Sequence, residues 1–178
     1  NNTYTGSITV SGTNHSMTSL PAGSNYDFVV VATNSGGNSN PTAEVNGETA
    51  PPAPTGLAAT DPGNGTDINL NWNSVTGADN YTIYWVDNST ATGLIDPSNP
   101  ATYDNFTTVT GTSTTATSLT ANTSYNFTII ATNTAGNSSP ATEVNATPTI
   151  ALPAAITNVA AYHGFNREYG TVYGKTYN

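Results

Sequence analysis

Residues 19–46 read SLPAGSNYDFVVVATNSGGNSNPTAEVN, and residues 118–145 read SLTANTSYNFTIIATNTAGNSSPATEVN. The two stretches align without a gap at an offset of 99. A fixed internal period means that one structural unit is used more than once, so the fold has to be solved for a single unit. Leu20 pairs with Leu119, Tyr26 with Tyr125, Phe28 with Phe127, Val30 with Ile129, and Ala32 with Ala131. Asn34, Gly37, Asn38, Pro41 and Val45 recur as Asn133, Gly136, Asn137, Pro140 and Val144. Upstream, Tyr4, Val10 and Gly12 match Tyr103, Val109 and Gly111, so the chain opens part-way through a repeat. TNVAAY at 157–162 resembles TGLAAT at 55–60, each downstream of a proline, so a third unit starts near the end. This divides the chain into the second half of a unit (1–50), a complete unit (51–149), and the opening strands of another unit or a donor-strand tail (150–178).

The complete unit reads as strands. In DINLNWNSV, period-two alternation puts Ile68, Leu70 and Trp72 on one face, the mark of a half-buried strand. NYTIYWV puts Tyr81, Ile83 and Trp85 on one face, with Tyr84 and Val86 on the other. Tyr125, Phe127, Ile129 and Ala131 share a face, NTAGNSSPA supplies a hairpin turn, and TEVNATP closes the unit. No window carries an apolar stripe at helical spacing. Charged residues make up only 7 % of the chain, and the Thr, Asn, Ser and Gly that replace them favour strands and turns.

On these residues the middle unit resembles a fibronectin type III domain. The family carries a core Trp on its second strand, matched by Trp72. It also carries a Tyr near the start of its sixth strand that bonds nearby backbone, matched by Tyr125 and, in the partial repeat, by Tyr26. The resemblance implies an all-β fold of tandem fibronectin type III-like β-sandwiches, one complete and two partial. The expected core is Leu57, Ile68, Leu70, Trp72, Ile83, Leu119, Tyr125, Phe127, Ile129 and Val144. The departures from the family are the scarcity of charge and a long connection at 87–107.

Net charge is −9, and residues 1–166 hold ten acidic side chains with no Lys or Arg; the only basic residues are Arg167 and Lys175. Nothing in that stretch neutralises phosphates, which argues against nucleic acid and anionic membrane surfaces as partners. No run is long enough to insert across a bilayer, and there is no Cys to form a disulfide. Asn1 opens the chain with no leader pattern, consistent with a leader removed or never included.

Ten Asn residues lie in N-x-S/T: Asn1, Asn14, Asn64, Asn80, Asn88, Asn105, Asn122, Asn126, Asn137 and Asn145. Each is a candidate acceptor of an N-linked glycan in a glycosylating secretory route, and composition alone also generates such motifs. Asn126, between Tyr125 and Phe127, is expected to face outward. Low charge with many acceptors suits an extracellular or cell-surface protein.

No catalytic constellation is present. His15 and His163 lack a nearby Asp, Cys or second His, and no nucleophile–base pairing is apparent. DPGNGTD at 61–67 concentrates oxygen ligands in Asp61, Asn64 and Asp67, a weak candidate for Ca²⁺ whose plainer reading is a Pro-Gly turn. No cofactor is expected otherwise, and the chain is read as non-enzymatic.

The function readings therefore concern the ends. A half-sandwich exposes one wall of its core and leaves strand edges unpaired. The tail holds Ile156, Val159, Tyr162, Phe165, Tyr169, Val172, Tyr173 and Tyr177, and Tyr169, Tyr173 and Tyr177 are expected on one face of an extended strand. If the tail completes the N-terminal half of another copy, the chain polymerises head to tail into a filament or surface stalk. Alternatively, the chain is a window of a longer array. It would then be an adhesion module that uses 87–107, or a spacer array of a secreted polysaccharide-degrading enzyme.

Overall fold

The structure is a computed structural model that describes residues 4–89, 99 and 102–152, with the backbone of 171–172 and 175–176. The partial repeat supplies four short strands: β1 (Asn25–Phe28), β2 (Thr33–Asn34), β3 (Gly37–Asn38) and β4 (Val45–Glu48). The complete unit holds β5 (Ala58–Thr60), β6 (Ile68–Asn71), β7 (Asn80–Asp87), β8 (Asn105–Val109), β9 (Ser113–Ala116), β10 (Tyr125–Asn133), β11 (Gly136–Asn137) and β12 (Val144–Ala146). Two-residue strands β13 (Thr171–Val172) and β14 (Lys175–Thr176) lie in the tail. There is no α-helix among the described residues.

In the complete unit one sheet runs β5-β6-β9 and the other β11-β10-β7-β8, with β12 also on β10. Every pairing is antiparallel. The alternation in the sequence has a direct cause here. Ile68 and Leu70 of β6, Tyr81 and Ile83 of β7, and Tyr125, Phe127 and Ile129 of β10 point between the sheets with Trp72, Leu119, Ala116, Ala131 and Ala141. Each large apolar side chain taken from water there contributes about 1.5–3 kcal/mol. Eight of the ten expected core residues are buried, and Leu57 and Val144 pack half-buried against them. Val86, Tyr103 and Ile130 are buried outside this cluster. Cross-strand pairing sets Val86 opposite Asn126, so the outer face of the larger sheet is also covered near β10.

Two residues named by the family resemblance take the expected places. Trp72 packs edge-on against Tyr81, with ring centroids 5.5 Å apart. The Tyr125 hydroxyl accepts a 3.0 Å hydrogen bond from the Thr120 backbone N–H, which ties the start of β10 to the preceding turn. Tyr26 differs: it is only half-buried. Its counterpart donor would be the amide of residue 21, which is Pro21 and has no N–H.

The partial repeat reproduces its half of the fold closely. Tyr26↔Gly47, Asp27↔Asn46 and Phe28↔Val45 repeat the pairing Tyr125↔Ala146, Asn126↔Asn145 and Phe127↔Val144. Thr33↔Asn38 repeats Thr132↔Asn137. The positive φ at Ser19 recurs at Ser118, and that at Gly23 recurs at Asn122. Residues 6–10 and 14–17, the counterparts of β8 and β9, form no strand. The reason is pairing: β8 needs β7 and β9 needs β6, and neither has an equivalent within 4–50.

Asn126 faces outward as its place between Tyr125 and Phe127 requires, but at 8 % exposure it is not open to water. It is covered by the amides of its neighbours on β12 and at the end of β7. The expectation for Tyr169, Tyr173 and Tyr177 lies outside the described residues, which in this stretch are 171–172 and 175–176 alone. Thr171 pairs with Thr176 and Val172 with Lys175, antiparallel, so the chain reverses direction between β13 and β14. That pairing satisfies backbone groups locally, which a single strand without a partner cannot do.

Candidate functional site

Among the described residues the chemistry-bearing side chains do not converge. His15 is exposed, and among the described residues no group of three His, Cys, Asp or Glu could hold a metal ion. What the fold does assemble are three polar clusters that fix where strands and linkers go.

The first is the 61–67 turn. Asp61 accepts from the Gly63 amide at 2.8 Å, from the Thr149 amide at 3.0 Å, and from the Thr149 hydroxyl. Ala151 N–H donates to the Gly63 carbonyl at 2.8 Å, and Asn64 bridges Ile150. Asn64 Oδ1 accepts from the amides of Thr66 and Asp67, each at 3.0 Å, while its amide nitrogen donates to Asp67 at 2.6 Å. The oxygens considered for Ca²⁺ are thus engaged by protein donors, and the turn holds the chain as it leaves the unit. The hydrogen bond from the Thr149 hydroxyl, reinforced by the Gly63 amide, pulls the Asp61 carboxyl below its usual range.

The second cluster is a triad of amides from three candidate glycan acceptors. Asn88 Nδ2 donates to Asn126 Oδ1 at 3.0 Å, and Asn126 Nδ2 donates back to Asn88 Oδ1 at 2.8 Å. Asn145 Nδ2 also donates to Asn126 Oδ1. Asn14, Asn64, Asn105, Asn122 and Asn137 are exposed and Asn80 is half-buried; Asn1 lies outside the described residues.

The third joins the partial repeat to the complete unit. Buried Asn133 donates from Nδ2 to the Thr49 carbonyl at 2.9 Å, and the Thr134 hydroxyl donates to Glu48 Oε2 at 2.6 Å. Nothing in the residue types marked this joint beforehand: Asn34, the counterpart of Asn133, makes the same local bond to its own turn yet stays exposed.

Beside the joint, the partial repeat shows an uncovered apolar wall. Val30 is 67 % exposed and Val45 63 %, where the counterpart of Val30, Ile129, is fully buried. Of the tail residues expected to drive assembly, Ile156, Val159, Tyr162, Phe165, Tyr169, Tyr173 and Tyr177 lie outside the described residues, and Val172 is described only as backbone in β13. Most of the 87–107 connection likewise lies outside them. No helix of the described residues is long and apolar enough to cross a membrane.

The comparisons agree with this architecture. The chain is 37 % identical over 163 residues to "Chitinase A1" of Niallia circulans, a match that takes in 84 % of this chain. The chain spans 21 % of the length of that relative. A two-domain fibronectin type III segment of chicken tenascin superposes with a TM-score of 0.52 at 24 % identity, covering 72 % of this chain and 67 % of that one. The family model of the fibronectin type III domain matches residues 52–147. With its paired sheets, core Trp and tyrosine corner, the chain belongs to the fibronectin type III family.

Proposed function

We propose that this chain is a non-catalytic spacer of an extracellular polysaccharide-degrading enzyme, a strut that sets the position of the parts on either side. The observation that carries the reading is the clamp on the exit chain: Thr149 and Ala151 are tied back to Asp61 and Gly63. A domain with a free exit would let its successor swing, whereas this one gives it a direction. The likeness to a chitinase supports the setting, and the lack of a convergent reactive cluster among the described residues fits a mechanical role. The test is to excise 51–149 from a longer protein that carries this chain. Hydrolysis of an insoluble polysaccharide should fall several-fold while hydrolysis of a short soluble oligosaccharide holds. Equal loss on both substrates, or on neither, would overturn the reading.

The uncovered wall of the partial repeat favours a second reading. In it, copies join head to tail, the tail of one supplying a strand to the edge of 26–33 in the next, to form a glycosylated filament or surface stalk. Sedimentation of the 178-residue chain over a range of concentrations should then show growing polymers that vanish when 153–178 are deleted. A monomer at every concentration would exclude this reading.

A further inference from the structure

At the joint between the partial repeat and the complete unit, two glycines meet back to back. Gly23, buried, has φ +64°, and a Cβ there would stand 2.1 Å from the Thr76 carbonyl oxygen. Gly77 has φ +72°, and a Cβ there would stand 2.5 Å from the Gly23 carbonyl oxygen. Neither position accepts a side chain, on sterics or on backbone conformation. The obstructing atoms are main chain, which cannot rotate aside. Around this contact side-chain hydrogen bonds close the joint. Gly23 N–H is held within its own unit by the Ala50 carbonyl at 2.9 Å, while Asn133 and Thr134 reach across to Thr49 and Glu48.

The repeat turns this contact into a rule about order. The complete unit has the same turn, with the same backbone sign, at Asn122: φ is 60° there and 64° at Gly23. Yet Asn122 is exposed and carries a side chain where the joint demands none. Its amide still makes the turn's own bond, to the Pro148 carbonyl at 2.8 Å. The turn is therefore common to both units, while the one that meets Thr76 and Gly77 has no side chain at its tip.

We propose that Gly23 and Gly77 form an order-specific lock between neighbouring units. The lock admits only a preceding unit with glycine at the tip of that turn, so the complete unit cannot plug its own exit end into a socket like that of Gly77. The exit end instead relies on the separate clamp at Asp61. This deepens the strut reading and rests on it for purpose, while its geometry is measured independently.

The chain has no cysteine, so Asn40→Cys and Thr110→Cys, both at exposed positions, take paired spin labels without background. Pulsed dipolar spectroscopy on the full chain should give one narrow distance distribution. Gly23→Asn, the residue of the sister turn, should widen it at least two-fold. Both tryptophans, Trp72 and Trp85, lie in the complete unit, so their emission should report an unchanged melting midpoint for it. Asn133→Ala, which leaves both turns intact, should widen the distribution less. A distribution already broad in the parent chain, or one unmoved by both variants, overturns the lock. Either result leaves the excision experiment on insoluble substrate to decide the strut reading separately.

Discussion

Trp72 concentrates the energetics of this fold in one side chain. It is buried against Tyr81, and its indole N–H has no acceptor among the described protein atoms. Its contribution is therefore apolar contact, reduced by an unpaired donor. Trp72→Ala should cost about 3–5 kcal/mol by removing the ring. Trp72→Phe should cost markedly less, because the lost volume is partly offset by removal of the orphaned N–H. Chemical denaturation of the full chain followed by circular dichroism measures both, and equal losses would show that the N–H is satisfied in solution. At the same scale, the amide nitrogen of Asn126 is spoken for. Passed through a glycosylating secretory route, the chain should carry no sugar at Asn126, while exposed acceptors such as Asn14 and Asn122 are open to it. Peptide mass mapping reads this directly.

At the scale of elements, similar local sequence meets different partners. Strand β10 is paired on both edges, by β7 and by β12, and is buried along nearly its whole length. Its counterpart at 26–34 is paired only on the β4 side and keeps Val30 and Val31 in water. Hydrogen exchange of the Val29 and Val31 amides, which face the side that β7 covers in the complete unit, should therefore be orders of magnitude faster than that of Thr128 and Ile130. Comparable protection would mean that another chain covers the edge. The exit clamp is an element with a pH dependence. Asp61 has its folded pKa lowered by the Thr149 hydroxyl and the Gly63 amide. The ionised form is the bonded one, so the clamp is whole above the unfolded carboxylate range, near pH ~4. It loosens as pH falls through the lowered folded value. Nuclear magnetic resonance of the Thr149 amide should show that transition in acid, and Asp61→Asn should abolish it.

At the scale of the whole molecule, the chain is a run of units whose entrance and exit are held by different devices. The entrance uses glycine contact and the Asn133 and Thr134 bonds; the exit uses a carboxylate turn. On the spacer proposal, these two devices set the direction of the parts on either side. The likeness to Chitinase A1 at 37 % identity places a related stretch within a much longer protein, of which this chain covers 21 %.

Much of this was legible beforehand because it is written in local terms. Period-two alternation is enforced by the pleat, so Ile68, Leu70, Tyr125, Phe127 and Ile129 declared their face residue by residue. The repeat at offset 99 declared the unit, and Trp72 and Tyr125 declared its family. The features that went unread depend on what a residue meets rather than on what it is. Tyr26 carries the same side chain as Tyr125, but the residue at the donor's place is Pro21, which has no amide N–H. Asn126 alternates outward as expected, yet Asn88 and Asn145, distant in sequence, close over it. Gly23 reads as one more turn glycine until Thr76 and Gly77 are brought against it. Backbone geometry and the alternation of faces are short-range consequences of the chain and follow from the sequence by itself. Hydrogen-bond partners, covered faces and close approaches between units are long-range, and only the tertiary structure decided them.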